Sequence, residues 1–68
     1  MVNLIRLKAA MVCAGLNQGA FAKRLRMAPN TLNAKVNGKS KITTEEATEM
    51  CEILGITEDR EKVAIFLS

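Results

Sequence analysis

Pro29 limits the fold of this chain more than any other single residue. It stands inside RLRMAPNTLNAKVNG, residues 24–38, whose other residues suit a helix. A proline in a helix interior removes a hydrogen bond and clashes with the preceding turn. At the first helical position its missing N–H would have had no partner anyway. Pro29 therefore starts a helix. Met27 before it can staple onto Leu32, Leu32 and Val36 share a face, and Gly38 ends the segment. Ahead of it, Asn17 is placed to cap a short helix that buries Phe21, Ala22 and Leu25, with Leu16 stapled onto Phe21. The stretch reads as helix, a short turn at Arg26-Met27-Ala28, helix.

The flanking segments carry the same end signals. Asn3 is an N-cap for a helix with Leu4, Leu7, Met11 and Val12 at helical spacing, stopped by Gly15. Thr43 to Glu46 is a capping box, with Ile42 ahead of it and Ala47 at the staple position. Ala47, Met50, Cys51 and Leu54 form the buried stripe there, and Gly55 ends it. Thr57 is the expected cap of a last helix, with Glu58 and Asp59 in its first turn and Val63, Phe66 and Leu67 inward. The run KVAIFL also suits a strand, so residues 57–68 stay open between the two.

A chain of 68 residues is expected to be one domain, residues 1–68, near the lower limit for folding on a single core. Its aromatic residues are Phe21 and Phe66 alone. A core of Leu, Ile, Val, Met and Ala suits packed helices, so the expected fold class is all-α, a compact bundle of about five short helices. No window approaches the roughly 18 apolar residues of a membrane span. The start, MVNLIRLKAAMVCAG, lacks a basic leader and a long apolar run, so a cytoplasmic location is expected. Cys13 and Cys51 are far apart and the chain has no His, which argues against a metal site. Both thiols are expected to be reduced and buried, and no cofactor is expected.

Charge is the second informative feature. Arg6, Lys8, Lys23, Arg24, Arg26, Lys35, Lys39 and Lys41 lie within residues 1–44 without one carboxylate, while all seven acidic residues lie in 45–68. Such segregation makes one pole of a small domain strongly positive, as a polyanion binder requires.

From Asn17 to Lys39 the chain reads NQGAFAKRLRMAPNTLNAKVNGK. This resembles the helix-turn-helix of the phage repressor and Cro-like family, the XRE family. Gln18 opens the first helix, Phe21, Ala22 and Leu25 lie inside it, Met27 is in the turn, then come Thr31, Leu32 and the closing Asn37-Gly38-Lys39. The capped TTEEATEMCEILGI resembles that family's fourth helix and its exit, and the likeness spans roughly residues 7 to 57. It implies a lambda-repressor-like bundle whose helices 2 and 3 form the motif, the second of them entering a major groove.

Carried over residue by residue, the resemblance makes Pro29, Asn30, Thr31, Asn33 and Ala34 base-reading candidates. An asparagine offers donor and acceptor together, which suits adenine, and the methyl groups of Thr31 and Ala34 suit thymine. Asn30 also fits plain helix-start chemistry. The phosphate-contacting candidates are Gln18, at a helix start, with Lys35, Asn37, Lys39 and Lys41. The sequence departs from the family in three places. Arg26 stands where the turn usually has Gly, at a cost on the order of 1 kcal/mol if the left-handed conformation is kept. Lys35 stands where many relatives are apolar, with Val36 one step later, implying a slight rotation of the reading helix. Met11 and Val36 replace a frequent Arg–Glu pair, removing both charges together.

The resulting expectation is a sequence-specific, double-stranded DNA binding transcriptional regulator of phage or prophage Cro/repressor-like character, in a bacterial cytoplasm or nucleoid. Too few residues follow the fifth segment for a separate oligomerisation and cleavage domain, so a short regulator is the closer comparison. One motif reads one half-site, so a homodimer on DNA is expected, with VAIFLS as its apolar surface or as part of the chain's own core. With no His, no base beside either Cys and no Gly-rich phosphate loop, neither an enzyme nor a small-molecule substrate is expected. The alternative is a protein-interaction module, an antirepressor or antitoxin-type partner on the same fold. An exposed aromatic or Leu cluster within residues 29–35 would mark it. A sequence-blind, nucleoid-type DNA binder is a third possibility.

Overall fold

Side-chain caps fix where three of the helices begin. In the computed structural model, which describes residues 2–67, Asn3, Asn17 and Thr43 accept from the amides of Arg6, Ala20 and Glu46 at 3.1, 2.8 and 3.1 Å. They open α1 (Leu4–Cys13), α2 (Gln18–Arg24) and α4 (Thr44–Leu54). At α4 the box is complete, because Glu46 Oε1 also accepts from the Thr43 amide at 2.9 Å. Helix α3 (Pro29–Val36) has Ala28 at its N-cap with no side-chain bond, and Pro29 occupies the first helical position.

One stop signal recurs at four helix ends. The amides of Leu16, Met27, Lys39 and Ile56 return to the carbonyls of Met11, Ala22, Ala34 and Cys51. The residue just before each returning amide must be left-handed for this closure. Gly15, Gly38 and Gly55 meet that need with φ of 75°, 78° and 72°, and Arg26 meets it with φ of 57°. Arg26 carries the Cβ clash that glycine avoids. Arg26→Gly is expected to raise stability by about 1 kcal/mol, or about 4–8 °C in Tm for a domain of this size. A thermal melt of the two proteins checks this; an unchanged or lower Tm would remove the strain from the account.

The last element is a helix, α5 (Asp59–Phe66), which resolves residues 57–68 in favour of helix up to Phe66. It starts later than expected. Glu58, not Thr57, holds the N-cap position, and no side chain caps it. Its inward residue is Ile65, with Phe66 half-buried, whereas Val63 and Leu67, expected inside, are 48% and 73% exposed. The Asn3 amide donates to the Ile65 carbonyl, and this tie to the start of α1 sets which side of α5 faces the core.

Leu7 and Met11 of α1, Phe21 and Ala22 of α2, Leu32 and Val36 of α3, Met50 and Cys51 of α4 and Ile65 of α5 join in one buried cluster. Val2, Leu16, Met27 and Ile42, each just ahead of a cap, pack against it. The Met11 and Val36 positions are both buried here, as an apolar replacement for a charge pair requires. Two expectations for α1 fail. Val12 is 71% exposed and Cys13 is exposed, because the inward stripe of α1 follows Leu4, Leu7 and Met11 and leaves both outside it. Both thiols are free; burial pushes the Cys51 thiol above its ordinary 9.0. Five helices without a strand among the described residues make this an all-α fold. No helix among them is long and apolar enough to cross a membrane.

Candidate nucleic-acid interface

The α3 helix divides by burial into two sides. Leu32, Lys35 and Val36 face inward, while Pro29, Asn30, Thr31 and Asn33 are exposed and Ala34 is half-buried. The outward side is polar and uncharged and carries no large apolar side chain. The exposed large apolar residues, Ile5, Val12, Val63 and Leu67, all lie elsewhere. Helix α2 packs closely on α3 through a short turn. Ala22, 1% exposed, faces the core, and its carbonyl closes the turn by accepting from Met27 at 3.0 Å. Holding α3 by its apolar side leaves its first turn and polar side open to a partner.

Lys39 and Lys41, just past α3, are exposed. Gln18 is half-buried at the first position of α2, beside the capping Asn17. Lys35, expected among the phosphate-contacting residues, is held differently in the free protein. It is 8% exposed, and its Nζ donates to Glu46 Oε1 at 2.8 Å and to the Lys41 carbonyl at 2.9 Å. Burying an ammonium is costly unless it is paired and hydrogen-bonded, and both partners are supplied here. Lys35 and Val36, adjacent in sequence, are both buried.

Glu46 thus serves two elements at once. One carboxylate oxygen caps α4 through the Thr43 amide and receives the ammonium from α3. The Lys35 hydrogen bond, followed by the Thr43 backbone amide, holds the Glu46 carboxyl below its ordinary 4.5. Sequence reasoning misses this link. Its only signal is a lysine at a position where the resemblance implies an apolar residue in many relatives.

Asn33 and Asn37 are one turn apart and interact. Asn37 Nδ2 donates to the Asn33 backbone carbonyl at 2.9 Å and to Asn33 Oδ1, while Asn37 Oδ1 accepts from Lys8 Nζ at 3.1 Å. Asn30 has no role in capping α3, whose N-cap position belongs to Ala28.

A family model described as Helix-turn-helix matches residues 7–60, which spans all of α1 past its start, α2, α3, α4 and the opening of α5. No curated protein and no solved structure matches the chain.

Proposed function

The chain belongs to the helix-turn-helix family of XRE type, a DNA-binding transcription regulator, and from that premise we propose that it reads specific duplex sequences as a short, Cro/repressor-like regulator. In this reading residues 1–68 form a single DNA-binding domain working in a bacterial cytoplasm or nucleoid, with phage or prophage character. The exposed polar side of α3 carries the proposal most directly. Pro29, Asn30, Thr31, Asn33 and Ala34 line the part of that helix that would enter the major groove, whose width admits an α-helix.

Phosphate contacts fix register and supply most of the salt-dependent affinity. Lys39 and Lys41 are the exposed cations nearest the end of α3 in sequence, and Gln18 lies at a helix start where free amides favour an anion. Lys35 acts behind them by holding the Lys41 carbonyl. A homodimer on a palindromic site follows from the one-motif, one-half-site rule. The exposed Val63 and Leu67 are the apolar residues of α5's end that remain for such a contact. The protein-docking alternative finds no support in residues 29–35, where no large apolar side chain is exposed.

Duplex binding measured against salt tests this reading. Lys39→Ala is expected to weaken binding to every duplex alike and to lower the slope of log K against log salt by about one unit. An unchanged slope would take Lys39 out of the phosphate set. No retention by the unsubstituted protein at low salt would contradict the reading as a whole.

A further inference from the structure

Four large apolar side chains stand exposed among the described residues, and they fall on two helices that pack against each other. Ile5 and Val12 belong to α1, while Val63 and Leu67 belong to α5 and its C-cap. Helix α1 meets α5 directly, and the Asn3 amide at its start donates to the Ile65 carbonyl. Ile5 is two residues from the buried Leu7, and Val63 is two from the buried Ile65. Each therefore points about 200° around its helix from the core side. Ala9 and Cys13 are exposed with Ile5 and Val12, which makes the outer side of α1 apolar at i, i+4, i+7 and i+8. The charged residues of α1 are Arg6 and Lys8 alone, and Lys8 is bonded to Asn37. A helix apolar on both its sides is ordinarily buried on both, and the chain itself covers only the inner one.

We propose that the outer side of α1 docks on α5 of a second copy of this chain, reciprocally, so that each protomer's α1 covers Val63 and Leu67 of its partner. The pairing supplies the contact surface of the proposed homodimer and rests on that reading. Charge favours it over α1 against α1. Residues 1–44 hold no carboxylate, so that self-pairing would bring Arg6 of one copy toward Arg6 of the other with no acid to offset them. Helix α5 has Asp59 and Glu61 in its first turn against Arg60 and Lys62, and Glu58 just ahead tips its start acidic. Asp59 lies one turn before Val63 on the same side of α5, and Arg6 adjoins Ile5. Stripe against stripe, the two helices therefore offer opposite charges beside their apolar residues. Pairing α5 with α5 would leave the α1 stripe uncovered, including Ile5 at 82% exposure. Because α1 and α5 are neighbours in each protomer, a two-fold axis between the copies makes the same contact twice. None of the base-reading candidates is on α1 or α5, so both reading helices stay open.

Sedimentation without DNA tests this on the unsubstituted protein and on Ile5→Lys and Leu67→Glu. Both positions are open to solvent in the single chain, so melts in dilute solution are expected to match and serve as the check on folding. The unsubstituted protein is expected to dimerise as its concentration rises. Each substitution spoils both contacts of its own homodimer, so each variant alone is expected to associate more than about tenfold more weakly. An equimolar mixture of the two variants decides the pairing. The mixed dimer keeps one intact contact, between the α1 and α5 that carry no substitution, and its other contact sets Lys against Glu. The mixture is therefore expected to regain dimers that neither variant forms alone. A mixture that stays monomeric, or either variant dimerising by itself like the unsubstituted protein, would overturn the pairing while leaving the homodimer standing. An unsubstituted protein that stays monomeric at every concentration would overturn the pairing together with the homodimer it rests on. With no DNA present, none of these outcomes bears on sequence reading.

Discussion

Glu46→Ala is expected to lower stability by about 3 kcal/mol, a large share of the total of order 5 kcal/mol available to a domain this small. Two losses combine. The Lys35 ammonium, 8% exposed, keeps the Lys41 carbonyl but loses its carboxylate, and an uncompensated buried charge is the costly outcome. The capping box at Thr43 also loses its second half. Glu46→Gln retains an acceptor for the Thr43 amide and removes only the charge, so its loss is expected to be smaller. Lys35→Met together with Glu46→Gln is expected to recover most of the stability, since an apolar side chain suits the site once no ammonium needs pairing. Urea unfolding of the four proteins checks the series, and a loss under about 0.5 kcal/mol in Glu46→Ala would show the pair to be energetically idle.

The pair also gives stability a defined dependence on acid. Lys35 and the Thr43 amide hold the folded-state carboxyl of Glu46 below 4.5, its ordinary value in the unfolded chain. The unfolded state therefore binds the proton more readily. The contribution is complete above about pH 4.5 and is lost as pH falls from there through the folded-state value. Glu46→Gln is expected to be less stable than the unsubstituted protein at neutral pH and to lose less on acidification. Parallel curves for the two proteins below pH 4.5 would contradict the assignment.

Ala22→Leu has the second large expected effect. Ala22 is 1% exposed in α2, just ahead of the turn to α3, and it lies within the buried cluster that joins the helices. Three more carbons there must displace packed neighbours. Overpacking of this kind costs about 1–3 kcal/mol, equivalent here to a Tm lower by about 5–20 °C. The strain falls between α2 and α3, so the variant is also expected to lose duplex affinity under conditions where it remains folded. Ala22→Ser, nearly equal in volume, is expected to retain affinity. An Ala22→Leu variant that melts and binds like the unsubstituted protein would show that close approach of the two helices is not required.

What the sequence reveals about this fold depends on how local each signal is. Asn3, Asn17 and Thr43 cap amides three residues away, so type and spacing alone identify them. Pro29 acts through its own ring, and the left-handed Arg26 follows from its place in a turn where relatives carry glycine. The missed features depend on how helices are rotated against one another. Lys35 finds Glu46 across an eleven-residue separation, and only the rotation of α3 that buries both Lys35 and Val36 brings them together. Val12 and Cys13 read as inward because an apolar residue and a small thiol fit either side of α1. In α5 the inward residue is Ile65 because a backbone bond to Asn3 orients an uncapped helix. The candidate interface shows the same division. Its polar face is legible from α3's spacing, but the Asn37 amide that bonds to Asn33 also bonds to Lys8, twenty-nine residues away.

Selection of duplexes from a random pool, with the binding of the winners followed against salt, tests the central claim most directly. The account predicts enrichment of an inverted repeat whose half-site centres lie about one helical turn apart, roughly 10–10.5 base pairs, bound with a steep salt slope. A retained pool no different in sequence from the input would contradict it, leaving a protein that holds DNA by charge without reading it.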